Sequence, residues 1–250
     1  MAATPPVPSA TADAFRAWCL GHSGCPGGDP GSRRRPAIWV CGIEPGGSRS
    51  LPIDELARTL QHDDVGRPCP GYTDWHDNLA HSFTRRITKL LTAFEGGRVT
   101  DYRAFAAAQQ PFTRGRRGYY RLNLYPLAFH DTDPAHWTAG LAGLTGFARK
   151  ADYLAWCDAR RLPWMRALAR RHRPRLIVGL GKSWQAAFRL AFLEPDSALR
   201  QETVGGKSLD WAINADGALV AILPFLTSAS GLQSDAALQA VGDRLRELSP

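Results

Sequence analysis

The residues best suited to chemistry form one short segment, Gly42-Ile43-Glu44-Pro45-Gly46-Gly47. Glycine lets another backbone or a ligand come close, and proline fixes its own φ. Together they would hold Glu44 on a stiff turn. One carboxylate can orient or activate a water, and its charge can stabilise a developing sugar cation. Cleavage of an N-glycosidic bond, with its oxocarbenium-like transition state, has both needs. A surface glutamate in an ordinary glycine-proline turn is the plain alternative.

Other candidates surround this turn. Asn123 ends an apolar run, and a carboxamide offers both donors and an acceptor to the edge of a pyrimidine. It could equally satisfy local backbone. Tyr72 and Trp75 could stack on an extruded base or simply anchor their loop. In Gly179-Leu180-Gly181-Lys182-Ser183 a P-loop would need a glycine where Leu176 stands. Lys182, Ser183 and nearby amides could still hold a phosphate. Arg116 and Arg117 in the Arg114–Arg117 run form a possible phosphate clamp, or a solvated loop. His130, Asp131 and Asp133 cluster without a partner set at metal-ligand spacing. A helix cap at Asp133 is the simpler reading. Cys19, Cys25, Cys41 and Cys69 do not match the compact iron–sulfur spacings, so neither metal nor other cofactor is expected.

These residues need elements to position them. Ala37–Cys41, Tyr119–Leu124, Leu176–Gly179 and Leu219–Leu223 read as strands, the apolar runs as strands buried on both faces. Helices are expected around Phe15 and Trp18, after Pro52, and over Leu79–Phe94, where apolar residues recur at spacings of three and four. Further helices are expected after Asp133, over 151–171 with a break near Pro163, over 183–193, and after Ser234. Residues 202–214 suggest a hairpin-like excursion before the Ala215-Asp216-Gly217 turn. Strands alternating with helices predict a three-layer α/β/α sandwich with a central, mainly parallel sheet. Ligands bind such sheets at the carboxyl ends of the strands. The loops after Cys41, Leu124, Leu180 and Leu223 are therefore the ones to watch.

Composition narrows the classes. The chain has 250 residues, 44% of them hydrophobic, enough for one domain over 1–250 with residues 1–10 disordered. Five cysteines without regular spacing suit a reducing, cytoplasmic compartment. No stretch approaches the ~18–20 apolar residues of a membrane span. The formal net charge is +8, and Lys89, Lys150, Lys182 and Lys207 are the only lysines among 31 cationic residues. Arginine forks match phosphate oxygens, which suits DNA, although a GC-rich genome would produce the same bias.

In order along the chain, these motifs resemble the uracil-DNA glycosylase superfamily. Gly42-Ile43-Glu44-Pro45 resembles its loop of glycine, variable residue, catalytic acid or amide, and proline. Arg121-Leu122-Asn123-Leu124 is similar to its strand ending in a base-reading asparagine. Val178-Gly179-Leu180-Gly181-Lys182-Ser183 is similar to its strand, glycine and following helix, and Ser82–Leu91 resembles a helix of its bacterial and archaeal members. The resemblance covers about residues 37–248 and implies a monofunctional glycosylase without lyase activity, acting as a monomer on DNA. It implies catalysis by Glu44, and a base pocket from Gly42, Ile43, Pro45, Gly46, Gly47, Asn123, Tyr72 and Trp75. DNA contacts are expected from Arg85, Lys89, Arg116, Arg117, Lys182, Ser183, Thr227, Ser228 and Ser230, with Leu232 as an apolar wedge in the vacated stack.

Two departures matter. The last loop, Pro224–Gly231, lacks the family's histidine, leaving His130 as a substitute donor to the departing base. Where uracil-specific members place a bulky aromatic after the proline, this chain has Gly46 and then Gly47. The expectation is therefore a larger substrate, a 5-substituted pyrimidine such as glucosylated 5-hydroxymethylcytosine in phage DNA, as in anti-phage defence. A uracil or mismatch repair glycosylase, a non-catalytic DNA-binding module and an enzyme of free nucleosides are the alternatives.

Overall fold

The computed structural model describes residues 9–46, 53–61, 69–129 and 133–250. The chain opens with α1 (Ser9–Cys19), so Ser9 and Ala10 are helical, and 1–8 lie outside the described residues. Short strands β1 (Gly27–Gly28), β2 (Gly31–Ser32) and β3 (Arg35–Pro36) lead to β4 (Ile38–Gly42). Helices α2 (Ile53–Gln61), α3 (Trp75–Asn78), α4 (Ser82–Phe94) and α5 (Tyr102–Gln109) precede β5 (Tyr119–Asn123). Then come α6 (Ala139–Thr145), α7 (Lys150–His172), β6 (Leu176–Leu180) and α8 (Gln185–Phe192). The chain closes with β7 (Arg200–Val204), β8 (Lys207–Ile213), β9 (Leu219–Leu223) and α9 (Asp235–Leu248).

Seven strands form one mixed, mostly parallel sheet in the order β1-β5-β4-β6-β9-β8-β7. The parallel core is β5-β4-β6-β9, the four segments expected as strands, with Gly42 level with Asn123. Alternate residues of β4 explain the helices on both faces. Ile38 and Val40 join Ile87, Leu90 and Phe94 of α4 and Leu238 and Val241 of α9. Trp39 and Cys41 join Phe15 of α1, Tyr153, Leu162 and Met165 of α7, and Phe188 of α8. Each fully buried aliphatic or aromatic side chain contributes about 1.5–3 kcal/mol.

The antiparallel edge is a hairpin. Gly205 and Gly206 both take positive φ, which lets a two-residue turn join β7 to β8. A second turn at Asn214–Gly217 returns the chain to β9, with Asn214 Oδ1 accepting from the amides of Asp216 and Ala218.

Two expectations need correction, and one helix was not expected. α7 runs unbroken through Pro163. Pro163 and Ala159, whose carbonyl loses its helical partner, are both exposed, so water can satisfy that oxygen, while buried Leu162 and Met165 hold the helix to the sheet. The run from Leu79 starts as helix only at Ser82, because Trp75–Asn78 forms its own turn capped by Asp74. α5 had no expected counterpart; its sequence, Tyr102-Arg-Ala-Phe-Ala-Ala-Ala-Gln109, buries only Ala106.

Candidate active site at the carboxyl edge of the sheet

Beyond Gly42 the ladder between β4 and β5 continues into the loops. Leu124 N donates to Gly42 O at 3.0 Å, Tyr125 N to Ile43 O at 2.9 Å, and Phe129 N to Pro45 O at 3.3 Å. Gly46 forms a parallel bridge with Phe129. The Glu44 turn is thus laced to the chain that follows Asn123, as the glycine-proline spacing requires of a stiff turn. Ile43 packs into the α7-side core.

Glu44 points to α7, where Lys150 Nζ lies 3.0 Å from Oε1 and 3.3 Å from Oε2. Both side chains are buried, 6% exposed for Glu44 and 2% for Lys150. The ammonium also sits 3.9 Å from the Phe129 ring centroid, a cation–π contact. Two charges leave water together here, and removing either takes a close counter-charge from the other. Beside Glu44, Tyr125 stands 5.2 Å from Trp184 between ring centroids and donates its hydroxyl to Asp158 at 2.8 Å. Burial raises the Asp158 carboxyl above its ordinary range, partly opposed by that bond. Burial and the Asp158 contact likewise push the Tyr125 phenol up, with a smaller push from Glu44.

Asn123 has different partners. Its Oδ1 lies over Gly42, so close that a Cβ there would collide with it. Gly42 is therefore required by packing as well as by the turn. Asn123 Nδ2 donates to Gly24 O at 2.6 Å, and its backbone carbonyl accepts from Arg161 at 3.2 Å. Arg161 is wholly buried and also bonds the carbonyls of Leu124, Cys19, Gly21 and Ser23. It stitches the end of β5 to the loop after α1. Reading a base with Asn123 would mean giving up the Gly24 bond, because the buried amide is already engaged.

The other expected residues divide. Ser183, Thr227, Ser228 and Ser230 are exposed on loops after β6 and β9, at the carboxyl edge. Pro45 is partly buried, and Gly46 is exposed, with no described residue in the space where a side chain would be. Tyr72 is held by loop 112–114 and accepts from Arg121 through its hydroxyl at 2.5 Å. Trp75 lines a surface hollow with Leu79, Arg85, Tyr102 and Arg103. Arg85 folds back onto the carbonyls of Leu79 and Ala80. Lys89 pairs with Asp235 at 2.6 Å, and Lys182 pairs with Asp210 at 2.7 Å. Arg116 and Arg117 are exposed but precede β5, at the opposite edge of the sheet from the Glu44 turn. Leu232 is not a wedge: it is fully buried with Leu226 and Leu238, because an apolar side chain at a helix entry packs onto the core. His130, Asp131 and Gly47 lie outside the described residues. Asp133 caps the Pro134–His136 turn, accepting from Ala135 N at 2.8 Å.

Lys150, Arg121, Tyr125 and Asp158 were missed from sequence. Nothing in the local sequence marks the first. In this arginine-rich chain all four lysines are engaged internally: Lys89 with Asp235, Lys150 with Glu44, Lys182 with Asp210, and Lys207 with Ser230 O at 3.0 Å. Among the described residues no group of three or more His, Cys, Asp and Glu side chains could hold a metal ion. Cys19, Cys25, Cys41 and Cys157 are buried thiols raised by burial, Cys157 to about 12. Among the described residues no helix is long and apolar enough to cross a membrane. Comparison with protein-family models, curated proteins and solved structures finds no match.

Proposed function

We propose that the chain is a DNA glycosylase of the uracil-DNA glycosylase type, which extrudes a pyrimidine nucleotide and hydrolyses its N-glycosidic bond. The observation that carries this reading is the buried Glu44 carboxylate, paired with Lys150 in the stiff turn after a central strand, at the carboxyl edge of a mainly parallel sheet. An anion fixed in a site of low dielectric stabilises a sugar cation far better than one in water. In the reaction the C1′–N bond breaks and its electron pair leaves with the base. A water adds its oxygen to C1′ opposite the base and gives its proton to Glu44 or to solvent, and the base takes up a proton in turn. An abasic site remains. Glu44 Oε1 and Oε2 both face Lys150, so turnover requires the turn to open enough to admit that water.

The open space at Gly46 supports a base larger than uracil. A substituent at the pyrimidine's C5, up to a glucosylated hydroxymethyl group, is the substrate class we favour, with anti-phage defence as the setting. Duplexes carrying uracil, a mismatch, 5-hydroxymethylcytosine or its glucosylated form, cleaved by alkali after incubation, test this. Strand scission only with the substituted cytosines is the expected result. Scission with uracil alone would overturn the substrate assignment.

One observation favours a second reading, a non-catalytic DNA-binding module. Glu44 is 6% exposed and already paired, as a purely structural carboxylate would be. Glu44→Gln separates the two. A glycosylase loses about 100-fold or more in turnover and still binds DNA, whereas a binding module has no turnover to lose.

A further inference from the structure

Arg121 is a half-buried cation without a carboxylate partner among the described residues. It lies in the middle of β5, level with Val40 and Gly27, and shares a face with Asn123. Lys150 has Glu44, Lys182 has Asp210, and Arg161 has its ring of carbonyls. Arg121 has one hydrogen bond, from Nη1 to the Tyr72 hydroxyl, and among the described residues no carboxylate within ion-pair distance. Its guanidinium lies 4.5 Å from the Phe83 ring centroid and 6.0 Å from that of Tyr72. A guanidinium carries five N–H donors, and among the described residues Nε and Nη2 have no hydrogen-bond acceptor.

Its aromatic neighbours reach toward the carboxyl edge. Phe83 belongs to the first turn of α4 and packs 5.7 Å from Phe225, just past the end of β9. The other end of α4 lies at the amino edge, where Glu95 meets Tyr119 and Arg175. The first-turn amides of this thirteen-residue helix therefore open on the side that Arg121 approaches, and His81 makes no side-chain cap there. Burial depresses the guanidinium's basicity, and the Tyr72 oxygen restores part of it. The group stays protonated all the same.

Resting on the nucleic-acid reading above, we propose that Arg121 is the centre of a phosphodiester subsite, its Nε and Nη2 gripping one backbone phosphate of the strand that carries the target nucleotide. The fork geometry matches two phosphate oxygens. Tyr72 and Phe83 hold its plane, and Asn123 lies two residues further along the same strand face, so the gripped phosphate would flank the nucleotide drawn to the sheet edge. The Tyr72 loop, clamped by Phe112 O and Arg114 N, fixes the orientation.

Binding of the full chain to a duplex with a stable abasic-site analogue, followed by fluorescence anisotropy across a salt series, tests this. Arg121→Gln should weaken binding about ten-fold or more at low salt and lower the slope of log K against log salt by about one. Arg121→Lys, which keeps the charge and guards against misfolding of the first variant, should restore the slope but not the full affinity. A neutral methylphosphonate walked along the duplex should penalise the native chain at one position. That penalty should vanish in Arg121→Gln and shrink in Arg121→Lys. Equal affinity and slope in folded Arg121→Gln, the absence of any such position, or no DNA binding by the native chain would overturn the subsite. Arg121-dependent binding without base release would instead overturn the glycosylase reading and leave the subsite standing.

Discussion

Replacing Lys150 with methionine removes the ammonium and keeps most of the side-chain volume. In the native chain Nζ contacts both Glu44 oxygens at 3.0 and 3.3 Å, with both side chains almost wholly buried. The variant takes the Lys150 counter-charge from that buried carboxylate, which destabilises the fold by about 3–5 kcal/mol. For a chain of this length that lowers Tm by roughly 6–20 °C. Glu44→Gln alone strands the ammonium and costs a similar ~3 kcal/mol, softened by the amide oxygen that can still accept from it. The double variant loses the Coulombic attraction and both desolvation costs together, so its loss falls short of the sum by about 2 kcal/mol. Equilibrium urea unfolding of the four proteins, monitored by circular dichroism, measures this cycle. A loss under about 1 kcal/mol in Lys150→Met, or strictly additive losses, would mean that solvent screens the pair. The claim of a low-dielectric anion at the turn would then be refuted.

Three further outcomes follow from the geometry. Arg161→Met should destabilise the chain by about 3–5 kcal/mol in urea unfolding, because it leaves buried carbonyls at both ends of the stitch without donors. Gly42→Ala drives a methyl into Asn123 Oδ1 and should cost about 1–3 kcal/mol, with crystallography showing Asn123 displaced from Gly24 O. His22, bonded to the Tyr120 hydroxyl at 2.6 Å, is lowered by burial, and by the nearby His172 and arginines, from its ordinary 6.5 to about 4. Between those values the unfolded chain binds more protons, so stability is full above pH 6.5 and falls as pH drops toward 4. The full shift corresponds to about 3 kcal/mol, reduced to ~1–2 by the solvent that reaches the ring. Tm measured from pH 7 to pH 4 should lose this part of its slope in His22→Phe.

The four parallel strands were legible because burial on both faces makes each an apolar run bounded by turn residues, as in Leu176–Gly179 and Leu219–Leu223. The β7–β8 excursion was legible from its turn chemistry. α5 was not, because a helix that buries little more than Ala106 has no wide apolar stripe to reveal it. The break expected at Pro163 was wrong because local propensity cannot register how firmly the neighbouring residues are held. At the site, the sequence pointed to Glu44 through its flanking glycine and proline, but not to Lys150, 106 positions away. Partners of a buried charge are decided by packing, which no local spacing encodes. The same limit hid the aspartates that pair with Lys89 and Lys182, and made Leu232 look like a wedge when it belonged to the core. Arg121 stood inside a quoted motif, yet its lack of a counter-ion became visible only once its neighbours in space were known.

The central claim is that Glu44 acts on an N-glycosidic bond, and single-turnover base release from a duplex bearing glucosylated 5-hydroxymethylcytosine measures it most directly. The native chain should release the base and leave an alkali-labile site, while folded Glu44→Gln should bind the same duplex with turnover reduced about 100-fold or more. Equal release by the two proteins would contradict the account. So would the absence of release by the native chain from every substituted, mismatched or uracil-containing duplex.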